Sequence, residues 1–245
     1  MICSIFGPNQ ADGGGSFEHG QLECSVRLAS FARRGGNRAA RAGGRSTSAE
    51  ESALSLDLTA ALIPSVQLHL LPKSLVAVHV LVLQDDGGIL PAAISCASLA
   101  LADATISLYS MVAAIGCGSI GETLVLDCDA AELTSSTATT TIACLPTLDQ
   151  LTLVRQEGVV PLAQATSGLQ LGLSGCALLH EEMAAALRET VAAREQEAER
   201  PTASPKAAEV EAAPTRGGRE GGVDEEGATG QGDGKRKPKR TRGAV

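Results

Sequence analysis

Residues 84–104 constrain the fold more than any other stretch of this chain. An apolar run ends at Gln84 and gives way to Asp85-Asp86-Gly87-Gly88. The chain then continues Pro91-Ala-Ala-Ile-Ser-Cys-Ala-Ser-Leu-Ala-Leu-Ala-Asp-Ala104. A strand that ends in two acids and two glycines has to turn at once. The segment after it, built almost wholly of Ala, Ser and Leu, reads as a helix over 89–104. Its lack of bulk allows close approach to a neighbouring sheet or helix.

The remaining segments supply that neighbour. Residues 1–7 read as a short strand stopped by Gly7-Pro8, and residues 22–29 alternate apolar and polar side chains as a half-buried strand does. Ser48-Ala-Glu-Glu51 has the pattern of a capping box, with the Ser48 hydroxyl and Glu51 satisfying amides at a helix start. Leu54, Leu58, Ala61 and Leu62 then share one helical face, and the helix stops before Pro64. Val66, Leu68 and Leu70 alternate as a strand. Residues 75–84 form a longer strand, apolar on both faces and so expected to be central.

Residues 112–117, 123–127, 140–145 and 151–155 also read as strands, the last two joined across Pro146-Thr-Leu-Asp-Gln150. From about 162 to 197 the pattern is helical, with Gly168, Gly172 and Gly175 weakening its early part. The order of elements predicts an α+β domain of βαβ-sandwich type over residues 1–198. Residues 199–245 lack periodic apolar positions, are rich in Pro, Gly, Glu and Lys, and are expected to be a disordered tail. Its end carries a basic run over 235–242 of the kind nuclear import receptors read.

Composition narrows the function classes. Only 2% of the 245 residues are aromatic against 44% hydrophobic, so the core must be packed from small aliphatic side chains. The net charge of −8 excludes a chain that binds nucleic acid along its whole length. A local basic patch remains in the Gly/Arg/Ala loop over 32–47, with Arg33, Arg34, Arg38, Arg41 and Arg45 as candidate phosphate contacts. Seven cysteines without a CxxC pair read as reduced thiols, and four histidines without ligand spacing give no zinc site. Neither a secretory leader nor a membrane span is expected.

Several pieces of the chain, taken in order, carry a family resemblance. They are Gly7-Pro8, Gly20-Gln-Leu-Glu-Cys24, the helix from Ser52, and the P-x-V-x-L-x-x-x-P stretch from Pro64 to Pro72. Asp86-Gly87-Gly88, Ser98-Leu-Ala-Leu-Ala-Asp-Ala104, Leu126-Asp127, Ile142-Ala-Cys-Leu-Pro146 and Leu148-Asp-Gln150 complete the set. Over roughly residues 2–190 the chain resembles the RNase PH family of phosphorolytic 3′→5′ exoribonucleases. Within that family it is most similar to the exosome ring subunits, and among them to the catalytically silent mRNA-transport-regulator component. The resemblance implies an RNase PH-like fold of the ribosomal protein S5 domain 2-like type. It is shortened at its start, since the strand pair that opens the family domain has no counterpart ahead of Met1. It also implies ring and cap subunits of the exosome as partners, single-stranded RNA threaded through the assembled ring, no cofactor, and a place in nucleus, nucleolus and cytoplasm.

The same resemblance fixes where the chemistry would sit. Phosphorolysis needs a cationic pocket for inorganic phosphate and carboxylates for metal or proton work at the scissile bond. The arginine pair of active relatives falls here on Glu50 and Glu51, and a further phosphate-binding arginine falls on Leu90, or its neighbour Ile89. The two catalytic acids fall on Leu133 and Thr139. Asp127 and Asp129 read as turn residues at a strand end. Asp85 and Asp86, adjacent on an extended chain, point to opposite faces. The expectation is a non-catalytic subunit with no catalytic residues and no metal; the alternative is an active phosphorolytic exoribonuclease.

Overall fold

The computed structural model of the chain describes residues 1–10, 19–32 and 46–198. Its first sheet has strand order β1-β3-β2, with β1 at Ile2–Gln10, β2 at Gln21–Leu28 and β3 at Ser74–Val82. β3 runs antiparallel to β1 and parallel to β2. The parallel pair needs a crossover, which the helix α1 (Ser46–Leu62) provides. A second, wholly antiparallel sheet has the order β5-β4-β6-β7, from β4 (Ala113–Ile120), β5 (Thr123–Leu126), β6 (Ala138–Leu145) and β7 (Gln150–Gly158).

The two sheets face each other across a helical layer of α1 and α2 (Ile89–Asp103), while α4 (Leu162–Ala198) covers the far side of the second sheet. A short helix α3 (Ala130–Ser135) links β5 to β6. The main core lies in the α1/α2 layer. Leu58, Leu62, Val76, Val78, Ile94, Leu101 and Leu145 are fully buried there. A smaller core of Ala113, Ile142, Cys144, Cys176 and Met183 lies under α4. None of these residues is aromatic, as the composition required.

The small-residue helix sits in the middle layer, pressed between both sheets. Ala93 and Ala97 are completely buried. Its serines do more than save space. Ser98 Oγ accepts from the Val112 amide at 2.8 Å, and Ser95 Oγ accepts from the Ala114 amide at 3.1 Å. Both hydroxyls are buried, so they satisfy amides at the start of β4 that would otherwise be costly to leave unpaired.

Several expectations are corrected. β1 does not stop at Gly7-Pro8. It continues to Gln10 through a register shift between Phe6 and Asn9 that absorbs the proline, which has no amide to pair. Val66, Leu68 and Leu70 form no strand. The chain makes 3-10 turns at Ile63–Ser65 and Leu68–Leu70, with Val66 bridging Leu108 alone. The two turns take up the backbone that a ladder would use, and Leu70 is 54% exposed. β3 is central, but only its Val76, Val78, Val80 and Val82 face is buried, while His79 and Leu81 are exposed.

α1 begins at Ser46, ahead of Ser48, so Ser48 lies inside the helix. Glu51 is not a capping partner either. Its Oε1 accepts from the Leu28 amide at 2.9 Å and closes the end of β2. The real capping box is at α3. Asp129 Oδ1 accepts from the Glu132 amide at 2.7 Å, and Glu132 Oε2 accepts from the Asp129 amide at 3.0 Å. In α4 the glycines serve the packing as well as weakening the helix. A Cβ on Gly172 would lie 2.3 Å from Ile142 Cδ1, so the glycine lets that side chain stand against the helix without shifting. Among the described residues no helix is long and apolar enough to cross a membrane. The arginine loop and the tail over 199–245 lie outside the described residues.

Candidate functional site

The turn after β3 begins the site. Asp85 Oδ1 accepts from the Gly87 amide at 3.2 Å, a local bond that folds the chain back on itself. Gly87 has φ +107 and pairs with Asp129, which ties this turn to the start of α3. Gly88, at φ +30, is the residue before α2 and offers no side chain to cap it. Asp127 ends β5 with φ +53, and its amide donates to the Gly116 carbonyl at 2.8 Å. These bends bring the starts of α1 and α2, the helix α3, and the strands β4, β6 and β7 around one cavity of about 330 Å³.

Four of the positions singled out in the sequence line that cavity together: Glu50, Leu90, Leu133 and Thr139. Ile89 lines it as well, and so does Asp127. Residues from four separate elements thus converge where the family resemblance places its chemistry. Glu51 does not join them, because its carboxylate is engaged by β2. Asp85 reaches the wall and Asp86 does not, as opposite-pointing neighbours should. Asp129 serves α3 as its cap. Arg33, Arg34, Arg38, Arg41 and Arg45 lie outside the described residues.

Sequence reasoning missed Arg155. This β7 residue also lines the cavity. Its guanidinium bonds the Asp57 carboxylate of α1, and it meets Glu157 Oε1 at 2.8 Å. The signal available was Arg155-Gln-Glu157 on a strand, which places both charged side chains on one face. Its tie to Asp57 was invisible, because 98 residues separate the two.

Among the described lining residues, four carboxylates (Glu50, Asp85, Asp127 and Glu157) stand against the single guanidinium of Arg155. That guanidinium is already engaged by two acids. Leu133 and Thr139 offer neither a carboxylate nor a metal ligand of charge. Among the described residues no group of three or more His, Cys, Asp or Glu side chains is placed to hold a metal ion.

The comparisons with known proteins agree with this geometry. Residues 1–107 match the RNase PH, or 3′ exoribonuclease, family, domain 1. The chain is 34% identical over 199 residues to the human exosome complex component MTR3, covering 74% of this chain and 70% of that protein. It is 37% identical over 142 residues to the exosome complex component Rrp41 of Nitrosopumilus maritimus, and spans 58% of that protein's length. Among solved structures, rice (Oryza sativa) Rrp46 superposes with a TM-score of 0.65 at 22% identity, over 76% of this chain and 82% of that one, which shows the same fold. With the order of elements and the placement of the cavity, these likenesses lead to one conclusion: the chain belongs to the RNase PH family of 3′ exoribonucleases.

Proposed function

We propose that this chain is a non-catalytic RNase PH-like subunit of an RNA exosome ring. In that role it supports 3′→5′ RNA processing and degradation, such as rRNA maturation and mRNA turnover, by scaffolding and RNA threading. The observation that carries the reading is the makeup of the cavity. Where active relatives hold arginines and two acids, this chain places Glu50, Leu90, Leu133 and Thr139 around one space. Among the described residues, these four positions hold none of the arginines or acids that phosphate capture and acid catalysis would use there.

The partners in this reading are other RNase PH-like ring subunits and the cap subunits, with single-stranded RNA passing through the assembled ring. The relatives named exosome components support it. The locations that go with it are nucleus, nucleolus and cytoplasm, and the basic run over 235–242 serves import. Arg33, Arg34, Arg38, Arg41 and Arg45 contribute to RNA contact through phosphate oxygens.

The test is to purify a tagged full chain gently from its native cells. Recovery of the other ring and cap subunits in near-equal amounts is expected, and recovery of the chain alone would contradict the proposal. In that complex, Gln at the five arginine positions should flatten the dependence of RNA binding on salt. An unchanged slope would remove the loop from the RNA path and leave the scaffold reading in place.

A further inference from the structure

The turn after α1 and the loop after α2 set two rings against each other on the surface. Tyr109 and His69 stack with their centroids 6.2 Å apart and their planes 27° from parallel. Tyr109 is 55% exposed. With His69 against one face of the phenol ring, the opposite face is left to solvent. The other ring pair among the described residues, Phe6 and His79, meets edge to face at 61° and forms no flat stack.

The backbone holds this pair in place. The Tyr109 amide donates to the Ser65 carbonyl at 2.8 Å, Val66 bridges Leu108, and the Gln67 amide donates to the Ser107 carbonyl at 3.0 Å. Gln67 Nε2 donates in turn to the Leu108 carbonyl at 3.4 Å. The turn that carries His69 closes through the Leu70 amide, which donates to the Gln67 carbonyl at 3.0 Å. A platform fixed in this way loses little freedom when a flat ligand settles on it. Its rim is polar. Ser110, next to Tyr109, bonds the Thr147 hydroxyl, and Lys73 follows the turn and is exposed. Residues 63–72 and 105–112 contain neither Asp nor Glu, so a phosphodiester laid over them meets no carboxylate from either segment.

We propose that Tyr109, backed by His69, is a stacking platform for one base of single-stranded RNA. The ligand class rests on the exosome-subunit reading, under which such RNA passes this chain. A flat ring pair rimmed by hydroxyl and amide groups suits a planar ligand with polar edges, and a nucleobase is such a ligand. Stacking tolerates any sequence, since every base has a π-face, and one stacked base is worth about 5- to 150-fold in affinity. The platform neutralises no phosphate. It therefore adds affinity without adding to the salt dependence that arginine contacts create.

Tyr109 is the single tyrosine of the chain and there is no tryptophan, so the intrinsic emission of the full chain reports on this ring. The full chain is titrated with an oligouridine of about ten nucleotides, the emission is corrected for absorption by the RNA, and binding is followed in parallel by anisotropy of the labelled RNA. Saturable quenching that tracks the anisotropy is expected. Tyr109→Ala should weaken binding by about 5- to 150-fold, by the same factor at low and high salt, and Tyr109→Phe should restore it. Binding without quenching would overturn the proposal, as would an alanine variant that binds like the wild type or a chain that binds no RNA. Quenching by ring or cap subunits in place of RNA would overturn it too, and would assign this face to a protein contact. Recovery of those subunits with the tagged full chain separates a failed platform from a failed subunit reading. The wild-type titration decides the matter even where a variant fails to fold.

Discussion

Gly87→Ala is expected to destabilise the fold by about 2–5 kcal/mol. Two costs combine. Gly87 adopts φ +107, a region that residues with a Cβ rarely enter. The added Cβ would also lie 2.7 Å from the Cys128 carbonyl oxygen and 2.8 Å from Leu133 Cδ1. A side chain can rotate away, but the Cys128 carbonyl belongs to the backbone segment that carries Asp129 into α3. The turn must therefore separate from α3, breaking the Gly87–Asp129 bridge and the cavity wall together. A denaturant melt checks this through a lower midpoint with unchanged slope. An unchanged midpoint would mean that the turn does not pack against α3.

Ile94→Ala is expected to cost a similar amount, about 2–5 kcal/mol, and to lower the melting temperature by about 5–15 °C. Ile94 is completely buried in the middle of α2, with a sheet on each side of the helical layer. That packing leaves little room for collapse around a lost side chain, so a cavity remains. Leu178→Ala on α4 makes a suitable contrast. Leu178 is 67% exposed, so its loss should fall within about 0.5 kcal/mol. Equal losses at the two positions would contradict a helical layer buried between two sheets.

What the sequence disclosed follows from how local each signal is. The strand, tight turn and small-residue helix over 84–104 were legible because their cause lies within adjacent residues. Among the described residues the strands and long helices lie where the sequence patterns put them, and their ends move by only a few positions. The failures have physical reasons. Val66, Leu68 and Leu70 alternate as a strand would, yet only Val66 pairs, with Leu108, before the chain turns at Leu68–Leu70. Glu51 sits where a capping glutamate would, but the nearby Leu28 amide takes its carboxylate. The α3 capping box was legible in Asp129-Ala-Ala-Glu132, and reading Asp129 only as a turn residue hid it.

At the site, the resemblance singled out Glu50, Leu90, Leu133 and Thr139, and these four line one cavity. It could not place Arg155, whose role depends on Asp57 far away in the chain. That residue is informative about function. A lone arginine on the wall of a phosphate pocket would argue for anion binding. Here Asp57 and Glu157 engage it, so its charge is already matched by carboxylates.

The central claim, that this RNase PH domain serves without catalysing, is tested most directly by incubating the purified full chain with single-stranded RNA, with and without inorganic phosphate. The quantity to follow is nucleoside diphosphate released from the 3′ end. The account predicts no release above the protein-free control in either condition, because Glu50, Leu90, Leu133 and Thr139 stand where the resemblance places the arginines and the acid pair. Phosphate-dependent release that grows with protein concentration would contradict it and would make the chain an active phosphorolytic exoribonuclease.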